Sequence, residues 1–379
     1  MQVEASIVKL FSSILALAFS FSAHAEVRPY MDEMMGYIYE LKPYIASPTD
    51  FADPKNAEAI QATLHNMVTL SEKIKHEDKI KKTALQVPAM SLNEQFKETA
   101  AVFRSGNKSH ALWLLRSNLG NCVACHTQLP ARSTHFEDHS KKKYLVNTFQ
   151  EAEFLYIVRN FDKALEFYTK TIAGYPGNKI TPQNIDLAVS RKIYYFTRVK
   201  RDLPGLATSL DKDLRNKKLI PATLENIKAY SKAAQALAKE EVPSLKTEKE
   251  VQTYAEKTLE KELTGSINYE DTLRNLRNLR LSGFLYEFMD KNPETKLKPN
   301  IYYWLSFCES RWERGPQDSL PESYLKKCVM EYPKSDIAKR CYQEYSELMT
   351  FGYTGSAGTN IPPEVSAELK NMRQMIGQE

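Results

Sequence analysis

Cys122-Val123-Ala124-Cys125-His126 is the stretch of this chain whose residue types and spacing do recognisable chemistry. Two thiols spaced C-x-x-C and followed directly by an imidazole form the attachment signature for haem c. Each thiol adds to one porphyrin vinyl group, so both sulfurs must project from one short segment. The imidazole beside the second sulfur then lies under the iron and supplies an axial nitrogen. A zinc site calls for a second ligand pair at short spacing, and none follows here. A dithiol redox motif calls for a preceding strand in a βαβ setting, which the surrounding sequence does not offer. The expectation is one covalent haem c, with Cys122 and Cys125 as thioether ligands and His126 as the proximal ligand of the iron.

The residues leading into the motif read as a helix from about Lys108 to Leu129, stopped by Pro130. Leu112, Leu115, Leu119, Cys122 and His126 fall at i, i+3, i+7, i+10 and i+14, one apolar stripe that turns the motif inward. Three helical patterns precede it. The first runs from about Pro29 to Ala46, with Met31, Met35, Ile38, Leu41 and Ile45 on one face. The second starts at Asp53-Pro54, with Asp53 as N-cap, and reaches about Lys75. The third opens at the capping box Ser91-Leu92-Asn93-Glu94 and closes at Gly106. Together they predict an all-α four-helix bundle over 26–140.

This segment resembles the class II cytochromes c, the cytochrome c′ family, whose motif stands near the end of a four-helix bundle. Tyr30 to Pro43 resembles the family's first helix, and Ser117-Asn118-Leu119-Gly120-Asn121-Cys122 the run into its motif. The resemblance covers about a third of the chain, residues 27–132. It implies that Met31 faces the distal side of the haem, as the sixth ligand of a low-spin electron carrier. Met34 and Met35 are the neighbouring alternatives. It also implies that a homodimer can form through the first two helices. One departure is Pro130, where the family usually has Lys or Arg; the nearest basic residue is Arg132. His65 and His110 read as surface residues of the bundle, and His135 and His139 as surface residues after the motif.

From Tyr144 the texture changes. Thr148 to Pro176 resembles a tetratricopeptide repeat, with Ala152, Leu155, Phe161, Ala164, Tyr168 and Pro176 at its small and aromatic positions. A weaker match spans about Pro299 to Met349. Helices are predicted between them near 182–199, 221–240, 247–262 and 269–290. Residues 141–350 thus read as a degenerate helical-repeat solenoid, and 351–379 as a flexible tail with a short helix. The clusters Tyr194-Tyr195-Phe196 and Tyr302-Tyr303-Trp304 read as repeat packing. Gly352, Gly355 and Gly358 lack the Gly-Lys-Ser/Thr of a phosphate loop. Cys308, Cys328 and Cys341 allow a Cys308–Cys328 or a Cys328–Cys341 disulfide, or three buried thiols.

Residues 1–25 read as a secretory leader: Lys9, an apolar run from Leu10 to Phe21, and Ala23-His24-Ala25 as cleavage site. No later segment has the continuous apolar length of a membrane span. The net charge of +5 falls after residue 140, without the aromatic interleaving of a nucleic-acid surface. No serine triad, convincingly spaced carboxylate pair or hydrolase metal motif is present. The expectation is a periplasmic monohaem electron carrier, not an enzyme, whose repeats dock a redox or scaffold partner protein. An open distal site would make it a nitric oxide or carbon monoxide sensor instead. A haem peroxidase would also need a polar distal acid or base, which the Met-rich first helix does not offer. A mainly structural repeat protein is the remaining reading.

Overall fold

Helix α1, Arg28–Ala46, begins with Pro29 in its first turn, where a missing N–H costs nothing. It buries Met34, Met35, Ile38 and Leu41 along one face. The chain then turns through two short helical segments, Pro48–Ala52 and Pro54–Asn56. The Asp53 side chain caps the second of these by accepting from the Lys55 N–H, and α2, Ala57–His76, follows directly. Helix α3 is Gln86–Arg104 and α4 is Lys108–His126. Gly106 joins them with a φ of 91°, a left-handed conformation that favours glycine. Helix α1 packs on α2, α2 on α3, α3 on α4, and α1 on α4. The computed structural model describes residues 27–128, 147–177, 179–264, 271–310, 312, 320–356 and 358–377. The leader, Arg132, His135 and His139 lie outside these.

The third helix differs from its expected start. Ser91 and Asn93 do not cap it; both are buried inside a helix that began at Gln86. The Asn93 amide donates to Ser71 Oγ at 2.9 Å and its oxygen accepts from Lys75 Nζ at 3.1 Å. The capping box is overridden because the helix starts five residues before Ser91, which is buried within it, while Asn93 ties the helix to α2.

After the first four helices the chain continues as helical hairpins. Helices α5, Thr148–Ile157, and α6, Phe161–Gly174, pair with each other. Helix α7, Pro182–Tyr194, runs on into a π-helical turn, Tyr195–Val199. Helices α8, Leu203–Asp213, and α9, Pro221–Leu237, form the next pair. The sequence reading had no helix at α8. Then come α10, Glu248–Thr258, α11, Thr272–Lys291, α12, Lys298–Glu309, α13, Leu320–Glu331, and α14, Ala338–Gly352. From α11 to α14 each helix packs on its sequence neighbour, and α13 also returns to pack on α3. Among the described residues the only strands are a two-residue pair, Thr354–Gly355 with Gly358–Thr359. The fold is all-α.

The segment read as a flexible tail with a short helix carries α15, Pro363–Met375, which packs on α13 and α14 and buries Leu369 and Met372. The Tyr194 and Tyr302 clusters are buried between helices. Of the two disulfides the spacing allows, Cys328–Cys341 is formed, between α13 and α14; Cys308 is a buried thiol. No helix among the described residues is long and apolar enough to cross a membrane.

Candidate functional site

The motif occupies the last turns of α4. Asn107 caps this helix by accepting from the His110 N–H. Further along, Arg116 donates through Nε and Nη2 to the Ile45 carbonyl, at 3.1 and 2.6 Å. That carbonyl is one of the acceptors α1 leaves unpaired at its C-terminus. Asn118 donates to Thr99 Oγ1 at 2.9 Å and fixes α4 against α3.

The expected apolar stripe is present at Leu112, Leu115 and Cys122, but the end of α4 is buried on more than that one face. Asn121, Val123, Ala124, Thr127 and Gln128 are buried too. Cys122 and Val123 belong to the core that contains Met34, Met35, Ile38, Leu64 and Met67. Ala124 belongs to a second core, with Tyr286, Tyr302 and Trp304. The motif therefore lies where two apolar cores meet, a placement its stripe alone did not indicate.

Both motif cysteines are free thiols. Burial pushes Cys122 up to about 12 and Cys125 to about 11, with Arg159 pulling Cys125 back slightly. A dithiol redox pair needs the opposite shift, toward thiolate. His126 is partly buried, and its Nδ1 lies 2.7 Å from the carbonyl oxygen of Ile157, the last residue of α5. A carbonyl only accepts, so Nδ1 carries the proton and Nε2 keeps its lone pair. Burial, helped by the Arg159 charge and opposed by the Ile157 hydrogen bond, lowers the imidazole to about 4. At neutral pH the ring is uncharged, with one nitrogen anchored and the other able to ligate. That is the state an axial histidine requires.

Buried polar atoms beside the motif test whether a haem fits there. Asn121 Nδ2 and both amide atoms of Gln128 are buried without a hydrogen-bond partner, and so is Asn118 Oδ1. Buried amides normally find partners, because leaving one unpaired costs about 1–3 kcal/mol. The two unused donors, Asn121 Nδ2 and Gln128 Nε2, stand on either side of Cys-x-x-Cys-His and suit a group with carboxylate arms; the unused oxygens of Asn118 and Gln128 only accept. The residues present fit haem c.

Met31 lies in the first turns of α1, partly buried and packed against the same core as Cys122; Met34 and Met35 are 2% exposed within it. The three candidate methionines thus share one extended core with Cys122, a core that also reaches Leu237 and Leu279. His65 and His110 are exposed. Sequence reasoning missed Ile157 and Arg159. A backbone carbonyl has no residue signature, and Arg159 stands at an ordinary hairpin turn. Asn121 and Gln128 were within reach, as amides flanking the motif. No family model matches the chain, and neither does any curated protein or solved structure.

Proposed function

We propose that this chain is a periplasmic monohaem c-type cytochrome that carries single electrons, with α1–α4 as its haem-bearing bundle. The later helices act as a repeat-like array that docks a redox or scaffold partner protein. The observation that carries the reading is His126, uncharged and anchored through Nδ1 to Ile157 with Nε2 left free, directly after the buried Cys122 thiol and the partly buried Cys125 thiol. Haem c would supply a one-electron couple at its iron.

In this reading Cys122 and Cys125 hold the porphyrin as thioethers, and His126 is the proximal ligand. Met31 is the distal ligand, with Met34 or Met35 as the alternatives. The apolar side chains of the shared core keep water away, which limits reorganisation on electron transfer and strengthens nearby electrostatics. The Cys328–Cys341 bridge supports an oxidising compartment, in agreement with the leader-like first 25 residues.

The test is the optical spectrum of the mature protein made with a c-type maturation system. Ferric and dithionite-reduced forms are recorded with and without carbon monoxide, beside a pyridine haemochrome assay. One covalent haem per chain, low-spin bands and no carbon monoxide shift are expected. A high-spin spectrum that shifts with carbon monoxide replaces electron transfer by gas binding. Absence of covalent haem removes the reading altogether.

A further inference from the structure

The acceptor of the His126 proton lies outside the first four helices, and the way α5 ends explains why it is free. The last residues of α5 form a Schellman turn. Asn160 N–H donates to the Leu155 carbonyl at 2.9 Å and Arg159 N–H to the Tyr156 carbonyl at 3.1 Å. Arg159, at the position after the cap, has a φ of 62°, the left-handed conformation in which glycine is usual. The turn thus occupies the carbonyls of Leu155 and Tyr156 and passes over that of Ile157. Ile157 is itself buried, so water cannot readily serve its oxygen, and His126 Nδ1 fills the place. Arg159 stands two residues beyond the carbonyl that holds His126, so the turn that meets the motif also carries a positive charge.

A side chain forced into a left-handed backbone costs stability that glycine would not. A positive charge on that turn also opposes a second positive charge arriving beside it. The turn closes α5, and the charge it carries has a further use if the motif holds an iron that gains and loses an electron.

We propose that the C-terminal turn of α5 controls the proximal side of the haem site. Ile157 orients the His126 imidazole through its carbonyl, and Arg159 raises the reduction potential through its charge. Both are positioning residues, and neither touches the iron. The proposal rests on the haem reading above. Its sign follows from charge: a nearby cation penalises the oxidised, more positive state of the iron more than the reduced one. In this proposal the proximal charge comes from Arg159, outside the first four helices. That ties the potential to how α5 is seated on α4.

The experiment is spectroelectrochemical titration of the haem-loaded full chain and three Arg159 variants, with haem content measured for each. Arg159→Gln is expected to shift the reduction equilibrium about tenfold toward the oxidised form, about 59 mV for a one-electron couple. Arg159→Lys should stay within about twofold of the parent, because it keeps the charge. Arg159→Gly should fall as far as the glutamine variant while unfolding no earlier, since glycine suits the backbone there. That variant separates electrostatics from folding. Arg215→Gln, at an exposed arginine, controls for net charge and should move the potential much less. Fully loaded glutamine and glycine variants at the parental potential would overturn the proposal. So would a lysine variant that falls with them. A parent chain without covalent haem fails earlier, at the functional reading, and is recognised by the haem assay alone.

Discussion

On the proposed haem reading, the site depends on how a few side chains are prepared. His126 is held neutral by burial and anchored by one hydrogen bond, which leaves Nε2 to ligate. Burial keeps Cys122 and Cys125 as protonated thiols, the opposite of what thiol exchange needs. Met31 differs from its neighbours in being only partly buried, while Met34 and Met35 are core residues. A core methionine tolerates leucine at a cost below about 1.5 kcal/mol, but leucine cannot ligate iron. We therefore expect Met31→Leu to turn a low-spin haem spectrum high-spin and sensitive to carbon monoxide. Met34→Leu and Met35→Leu should leave it unchanged. Should the loss of low-spin bands follow Met34 or Met35 instead, the distal ligand moves to that residue.

The helices that carry these residues are joined by polar contacts as much as by apolar faces. Between α2 and α3, Asn93 bonds Ser71 and Lys75 from a fully buried position. Removing its amide in Asn93→Ala strands buried partners and should cost about 1–3 kcal/mol by urea unfolding. Beside it, Glu72 is lowered to about 2 by Lys75 and Lys97, with a smaller contribution from His76. Its folded-state value lies below the ordinary carboxylate value of 4.5. The stabilisation is therefore complete above that value and disappears as pH falls toward about 2. Glu72 is a third exposed, so screening keeps the effect below about 1 kcal/mol. Stability of Glu72→Gln relative to the parent should show this deficit near neutral pH and lose it in acid. A deficit that persists unchanged in acid would remove the charge as its cause.

At the scale of the whole molecule, distant helices meet at a buried ionic cluster. Arg198, on the π-helical turn, pairs with Glu309 on α12, and both side chains are fully buried. Glu309 also accepts from Tyr286 at 2.6 Å, and Tyr286 accepts from Tyr324 at 3.0 Å. Arg198 donates through Nε to Ser282 at 2.9 Å. The π-turn adds a residue to the helical repeat and is the device that brings Arg198 into this core. Glu309→Ala leaves a buried guanidinium without its carboxylate and should cost roughly 3–5 kcal/mol in chemical denaturation. The Cys328–Cys341 bridge acts on the same region, across a sequence separation of 13. Loss of it in Cys341→Ser should cost about 3 kcal/mol, mainly through a freer unfolded chain. Reductant should have little further effect on that variant.

The all-α character, most helix boundaries and the helical setting of Cys122, Cys125 and His126 follow from local patterning. Apolar spacing, proline at helix starts and Gly106 are properties of consecutive residues, and consecutive residues suffice to read them. The capping box at Ser91 misled because the helix begins at Gln86 and buries Ser91 against other helices, which no local window contains. For the same reason α8 and the docking of α15 went unread. The choice of Cys328–Cys341 over Cys308–Cys328 depended on which helices became neighbours. The partner of His126 is a backbone carbonyl some thirty residues away, and every residue has one. Only the tertiary structure could decide which of them would be left unpaired, buried and within reach of the imidazole.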